Sequence, residues 1–189
     1  MIGRCSCGRE AVRMRASIPR KTPGRQHMKN LEDLFHDLLQ DVYYAEKQLL
    51  RALPQMAKKA SSEQLSQAFL EHRDQTQGHI ERLDQAFEMI GKKPRGKKCD
   101  AILGIIQEGK QVMEEAEDDE VLDAGLIGAA QAAEHYEIAR YGTLCAWAKQ
   151  LGKPQLARLL HQTLEEEKQT DELLTKIAEG SVNEAAMTA

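Results

Sequence analysis

Two glutamates stand where their helices should be apolar. Glu137 interrupts the stripe Leu126, Ala130, Ala133, Tyr141, Leu144, Ala148, with Arg140 at its border. Glu167 interrupts Leu156, Leu160, Thr163, Thr170, Leu174, Ala178, with Asp171 at its border. At about 100° per residue, both carboxylates fall within roughly 20° of the stripe centre. Burying a carboxylate without a partner costs several kcal/mol. A basic group, a proton or a metal ion must offset that cost.

More polar groups share this depth. Glu46 lies at the flank of an earlier apolar stripe; His72, Gln75 and His79 follow at i, i+3 and i+7; Glu134 is one turn before Glu137. Hard carboxylate oxygens with imidazole nitrogen suit iron or manganese, in a mononuclear or dinuclear site. In carboxylate-bridged di-iron bundles, two helices each give a Glu and two each give Glu-x-x-His. No Glu-x-x-His occurs in this chain; the nearest approach, His72-x-x-Gln75, offers a neutral and weak ligand. Glu46, His72 or His79, Glu137 and Glu167, with Glu134 and Asp171, suffice for one ion and are thin for two. A metal-free polar layer is the competing reading. In it a protonated His72 or His79 pairs with Glu137 or Glu167, Arg140 and Tyr141 lie within a turn, and the layer fixes helix register at some expense of stability.

Helices must carry these groups. Ala, Leu, Glu, Gln and Lys dominate, and aromatics make up only 4%, which favours an all-α protein. Helical spacing predicts a first long helix over 30–60, with Asn30 as N-cap and a kink or break at Pro54. A second spans 62–90, opened by Ser61 or Ser62 with Gln64 as a capping-box partner and closed by Gly91. A basic linker, Lys92 to Lys98, leads to a shorter helix over 100–117. The last two long helices span 119–150, ended by Gly152 and Pro154, and 154–179, ended by Gly180; Ser181 to Ala189 reads as a frayed tail. Two helical hairpins joined by a long crossover with a short fifth helix make a ferritin-like four-helix bundle. Gly125, Gly128 and Gly142 permit close helix approach, at a dimer seam or beneath the crossover helix.

The chain divides by charge. Residues 1–27 hold seven basic residues against Glu10 alone, so the remainder carries ten net negative charges within a total of −4. An acidic body is not a nucleic-acid surface. The basic head has five Gly or Pro residues and no apolar periodicity. Three readings stand for it: translation starting at Met28, a basic tail for nucleic acid or an acidic partner, and a transit peptide. Cys5, Cys7, Cys99 and Cys145 form no CxxC pair, which points to reduced thiols in a cytoplasmic protein. No apolar run approaches a membrane span. Nucleophile elbows, phosphate loops and dinucleotide fingerprints are missing. His36, His135 and His161 fall off the apolar stripes and are expected at the surface.

Four segments carry a family resemblance: Asp41-Val-Tyr-Tyr-Ala-Glu46-Lys-Gln-Leu, His79-Ile-Glu-Arg-Leu83, Ala129-Ala-Gln-Ala-Ala-Glu134-His-Tyr-Glu137-Ile-Ala-Arg-Tyr141-Gly-Thr-Leu144, and Thr163-Leu-Glu-Glu-Glu167-Lys-Gln-Thr-Asp171. Over 28–180 the chain resembles the YciE/YciF family of bacterial ferritin-like proteins. The resemblance implies a ferritin-like bundle, a homodimer and a role in bacterial stress physiology. Relatives often carry Glu where this chain has Gln75. Three functions follow as expectations: a stress protein with an iron or manganese site handling oxygen or peroxide, with Tyr136 or Tyr141 as a redox or hydrogen-bonding group; a metal-free structural dimer; and a DNA-protecting protein that uses residues 1–27.

Overall fold

Asn30 opens the first helix as expected. Its side chain accepts the backbone N–H of Asp33 at 2.8 Å, and Glu32 and Asp33 face the positive end of the helix dipole. A computed structural model describes residues 28–189; the expectations for the basic head, including Cys5 and Cys7, lie outside the described residues. The elements are α1 (Leu31–Lys59), α2 (Glu63–Met89), α3 (Asp100–Glu115), α4 (Asp119–Gln150), α5 (Pro154–Ile177), a π-helical turn (Ala178–Val182) and α6 (Asn183–Thr188). No strand occurs among the described residues, and none of their helices is long and apolar enough to cross a membrane.

Two glycines close helices in the left-handed conformation. At the end of α2, Gly91 has φ 68°, and the N–H groups of Gly91 and Lys92 return to the carbonyls of Glu88 and Phe87, both at 2.9 Å. Gly152 (φ 70°) ends α4 in the same way, and Pro154 then starts α5.

Three local expectations are corrected. α1 runs unbroken through Pro54 to Lys59. Met56 and Ala57 beyond it are buried in the core, and that packing holds the last turn despite one lost backbone bond. The Ser61–Gln64 capping box does not form. Ser62 Oγ caps α2 by accepting the Leu65 N–H, while the N–H groups of Ser61 and Ser62 and the Ser61 hydroxyl all donate to Asp123 of α4 at 2.7–2.9 Å. The last long helix does not stop at Gly180. Ala178 and Val182, four residues apart, are buried against Leu122 and Leu126, so the chain continues helically to Thr188.

α1 pairs with α2 and α4 with α5, while α2 contacts α5 and α1 contacts α4. Two apolar clusters fill the ends of this bundle. One joins Phe35, Leu39, Leu83, Phe87, Leu144 and Leu160. The other joins Leu53, Leu65, Phe69, Leu126, Leu174 and Ile177. Each cluster combines opposite ends of neighbouring helices, so all neighbours run antiparallel. The crossover helix α3 packs outside α1 and α4 through Ile102, Ala45, Leu49 and Ala133. Its approach depends on Gly125: a Cβ there would lie 2.5 Å from Val112 Cγ1. Gly128 and Gly142 face open space instead. The basic linker is exposed and is anchored to α1 at Lys97, whose Nζ reaches Asp37 at 2.7 Å and Asp41 at 3.4 Å and whose N–H donates to the Gln40 carbonyl at 3.1 Å.

Candidate metal centre

Between the two apolar clusters lies a polar layer. α1 contributes Glu46, α2 contributes His72 and His79 two turns apart, α4 contributes Glu134 and Glu137 one turn apart, and α5 contributes Glu167. All six side chains are at most 4% exposed. The i, i+3 and i, i+7 spacings bring the paired residues back to one helix face.

The layer divides into two groups. His72, Glu134, Glu137 and Glu167 each place one donor atom within 4.8 Å of the others; Glu46, His79 and Glu167 do the same. Glu167 belongs to both. His72 Nε2 lies 3.0 Å from Glu134 Oε1 and 3.9 Å from Glu167 Oε2. His79 Nδ1 lies 3.0 Å from Glu167 Oε1 and 3.5 Å from Glu46 Oε2. The 3.0 Å approach to Glu167 is close but not directed: His79 Nδ1 and both Glu167 oxygens are buried without a hydrogen bond. Both oxygens of Glu137, Glu46 Oε2 and Glu134 Oε2 are in the same state. Native proteins leave few buried polar atoms unsatisfied, and here they cluster at one point.

The outer ring nitrogens, by contrast, have partners. His79 Nε2 lies 3.0 Å from Glu166 Oε2. Glu166 is clamped by Arg82 at 2.6 and 2.7 Å, and Arg82 also donates to Thr163 Oγ1 at 2.7 Å. His72 Nδ1 lies 3.4 Å from both Gln75 Oε1 and Thr170 Oγ1. The inward nitrogens, His79 Nδ1 and His72 Nε2, are thereby oriented as a metal-binding imidazole requires. Tyr141 donates its hydroxyl to Glu46 Oε1.

Electrostatics show the strain of the metal-free layer. Burial works against charge on both histidines, but the surrounding carboxylates prevail. Glu134 and Glu167 push His72 up to about 9, and Glu46 and Glu167 push His79 up to about 11. Burial, reinforced by Glu46, Glu167 and Glu134, drives the Glu137 carboxyl well above its ordinary range. Burial also raises Glu167 to about 7, against the pull of His79. Burial and then Glu46 raise the Tyr141 phenol.

Six of the residues singled out from sequence thus converge: Glu46, His72, His79, Glu134, Glu137 and Glu167. Two do not. Gln75 is exposed and sits behind His72 as its outer hydrogen-bond partner. Asp171 turns toward α4, where Gln131 Nε2 donates to it at 3.2 Å and His135 Nε2 lies 3.2 Å away. Glu167, shared by the two groups of donors, links them into one layer. Arg140 stacks over Tyr136 rather than joining the layer, and Tyr136 faces Cys99 Sγ at 3.1 Å. Cys99 and Cys145 are buried, free and outside the layer. Sequence reading missed Glu166 and Arg82. Arg82 follows His79 at i+3, a usable signal; Glu166 reads as one of three consecutive surface acids.

The layer could hold a metal ion: its six side chains are four carboxylates and two imidazoles with no thiolate, a hard, oxygen-rich donor set.

The comparisons agree with this architecture. The family model described as a domain of unknown function, DUF892, matches residues 30–187. Protein YciF of Escherichia coli K12 is 52% identical over 161 residues, covering 85% of this chain and 97% of that protein. The crystal structure of the E. coli stress protein YciF superposes with a TM-score of 0.79 at 53% identity, covering 82% of this chain and 99% of that one. YcfI of Rhodopseudomonas palustris gives 0.77 at 48% identity, over 78% and 94% of the two chains. A two-domain protein of Anabaena variabilis with dj-1/thij/pfpi-like and ferritin-like domains gives 0.55 at 20% identity, over 82% of this chain and 38% of that one, a likeness of fold alone. With its bundle, its crossover helix and these relatives, the chain is a homologue of the stress protein YciF and belongs to the DUF892 family of ferritin-like fold.

Proposed function

We propose that this protein is a bacterial stress protein holding two iron or manganese ions in its mid-bundle layer. The observation that carries the reading is Glu137. Both of its oxygens are buried and unpartnered, and three other carboxylates surround it. His72 with Glu134, and His79 with Glu46 and Glu167, already make complementary pairs. Ionised, Glu137 adds only repulsion to such a layer unless a cation is present; protonated, it leaves its buried oxygens without a partner.

Glu137, Glu134 and His72 would hold one ion, Glu46 and His79 the other, and Glu167 would serve both. The metals would supply one-electron chemistry toward dioxygen or peroxide. The protein's share is positioning. Glu166 and Gln75 fix the two imidazoles, Tyr141 fixes Glu46, and the apolar clusters close both ends to water.

The test is metal content by plasma mass spectrometry on the full chain, produced without a chelating tag and supplied with iron and manganese. Two ions per chain are expected, fewer in Glu137→Ala, and none in Glu167→Ala. A folded wild type that retains no metal would establish the metal-free layer instead.

A further inference from the structure

The two sides of the layer are built differently. Toward α2 and α5 it is closed by the charged Arg82–Glu166–Thr163 network. Toward α1 and α4, beneath the crossover helix, the packing opens into a cleft of about 30 Å³. Its walls are Leu53, Met56, Ile106 and Ala130, and it reaches His72 and Glu134, two of the buried candidate ligands. Gln55 and Lys110, both exposed, mark its mouth. Gln55 turns its amide back to the Arg51 carbonyl, leaving the walls without a donor from that side.

Size and lining narrow the occupant. One water needs about 10–15 Å³ and two to four polar partners. The cleft takes roughly twice that space, and its walls are apolar between His72 and Glu134 at the inner end and Gln55 and Lys110 at the mouth. Hydrogen peroxide, with two hydroxyls to satisfy, finds polar atoms at the ends of the cleft but none along its walls. An apolar diatomic meets both limits. We infer that the cleft between α1, α3 and α4 is a binding site for dioxygen on its way to the His72–Glu134 side of the layer. The inference rests on the metal reading for its purpose, but the cleft's preference for apolar gas does not.

Xenon is an apolar probe of similar size and separates the two. Crystals of the metal-free full chain pressurised with xenon should show one atom bounded by Ile106 and Ala130. Ala52→Leu, at a half-buried position on the cleft wall, should exclude it, and Ile106→Ala should keep it; melting curves confirm that both variants fold. An empty cleft in the wild type overturns the inference and leaves the metal reading standing. A chain that binds xenon but no metal overturns the metal reading alone. With ferrous ion loaded to equal content, Ala52→Leu should react with dioxygen at least tenfold more slowly than wild type. An unchanged rate in a variant that excludes xenon, or an equal fall with hydrogen peroxide, overturns the assignment to dioxygen.

Discussion

Replacing Glu137 by Gln should move stability in opposite directions with and without metal. In the metal-free fold the Glu137 carboxyl is held well above its ordinary range, chiefly by burial and then by Glu46, Glu167 and Glu134. The unfolded chain releases this proton near 4.5. Wherever the folded state binds more protons than the unfolded state, stability falls as pH rises. While folded Glu137 keeps its proton and the unfolded chain has lost it, the slope is about 1.4 kcal/mol per pH unit. Gln has the same shape and no proton to lose, and its amide can donate to the surrounding carboxylates. Glu137→Gln should therefore stabilise the chelator-treated chain by up to about 1.4 kcal/mol for each pH unit above 4.5 over which folded Glu137 stays protonated, and each kcal/mol raises Tm by roughly 2–4 °C for a domain of this size.

With metal, Gln lacks the charge that a divalent cation needs, so the stabilisation by added iron or manganese should shrink. The assay is thermal and urea denaturation of both proteins at pH 5 and pH 8, each with chelator and with saturating Mn²⁺. The chelated variant's advantage should be small at pH 5 and large at pH 8. A variant less stable than wild type at pH 8 with chelator, or an advantage independent of pH, would refute the view of Glu137 as a buried carboxyl that only a cation satisfies.

Metal loading at pH 7 should release at least two protons per chain, because His72 and His79 are pushed up to about 9 and about 11 in the metal-free layer; calorimetry in buffers of different ionisation enthalpy counts them. The histidine pairs stabilise the metal-free fold fully below about 6.5, so in chelator its urea midpoint should fall as pH rises from there, the His72 share being lost by about 9 and the His79 share by about 11. Arg82→Ala should weaken metal affinity by about ten- to a hundredfold by freeing Glu166 from its clamp, whereas Asp171→Ala should leave metal content unchanged. Asp123→Ala strips three donors of their acceptor at the α1–α2 turn and should lower stability by about 2–4 kcal/mol in urea without altering metal content.

The fold was legible because most of its signals are local. Asn30, Gly91, Gly152 and Pro154 each fix a helix end through one side chain or one dihedral angle, and each sits where its chemistry predicts. The failures were tertiary. Pro54 reads as a helix breaker until Met56 and Ala57 are seen to be buried beyond it. Gly180 reads as a stop until Val182 finds its place against α4 and α5. Ser61 and Ser62 read as a self-contained cap, but their donors belong to an aspartate more than sixty residues away. No window along the chain contains that partner.

The site divides along the same line. Helical periodicity says which face a residue occupies, and it placed Glu137 and Glu167 at the centre of theirs. It does not say which helix that face meets. Glu166 and Asp171 lie on opposite borders of the same stripe. α2 supplies His79 and Arg82 to the first; α4 supplies Gln131 and His135 to the second. Only the order of helices around the bundle makes one a support of the centre and leaves the other outside it. The same geometry weakens the reading of the layer as a device for register. His72 with Glu134 joins α2 to α4, and His79 with Glu46 and Glu167 joins α2 to α1 and α5. Every helix of the bundle is then already tied through a complementary pair. Glu137 brings a carboxyl with two unpartnered oxygens to a place whose register is set without it, and a cation held in the layer would give those oxygens a partner.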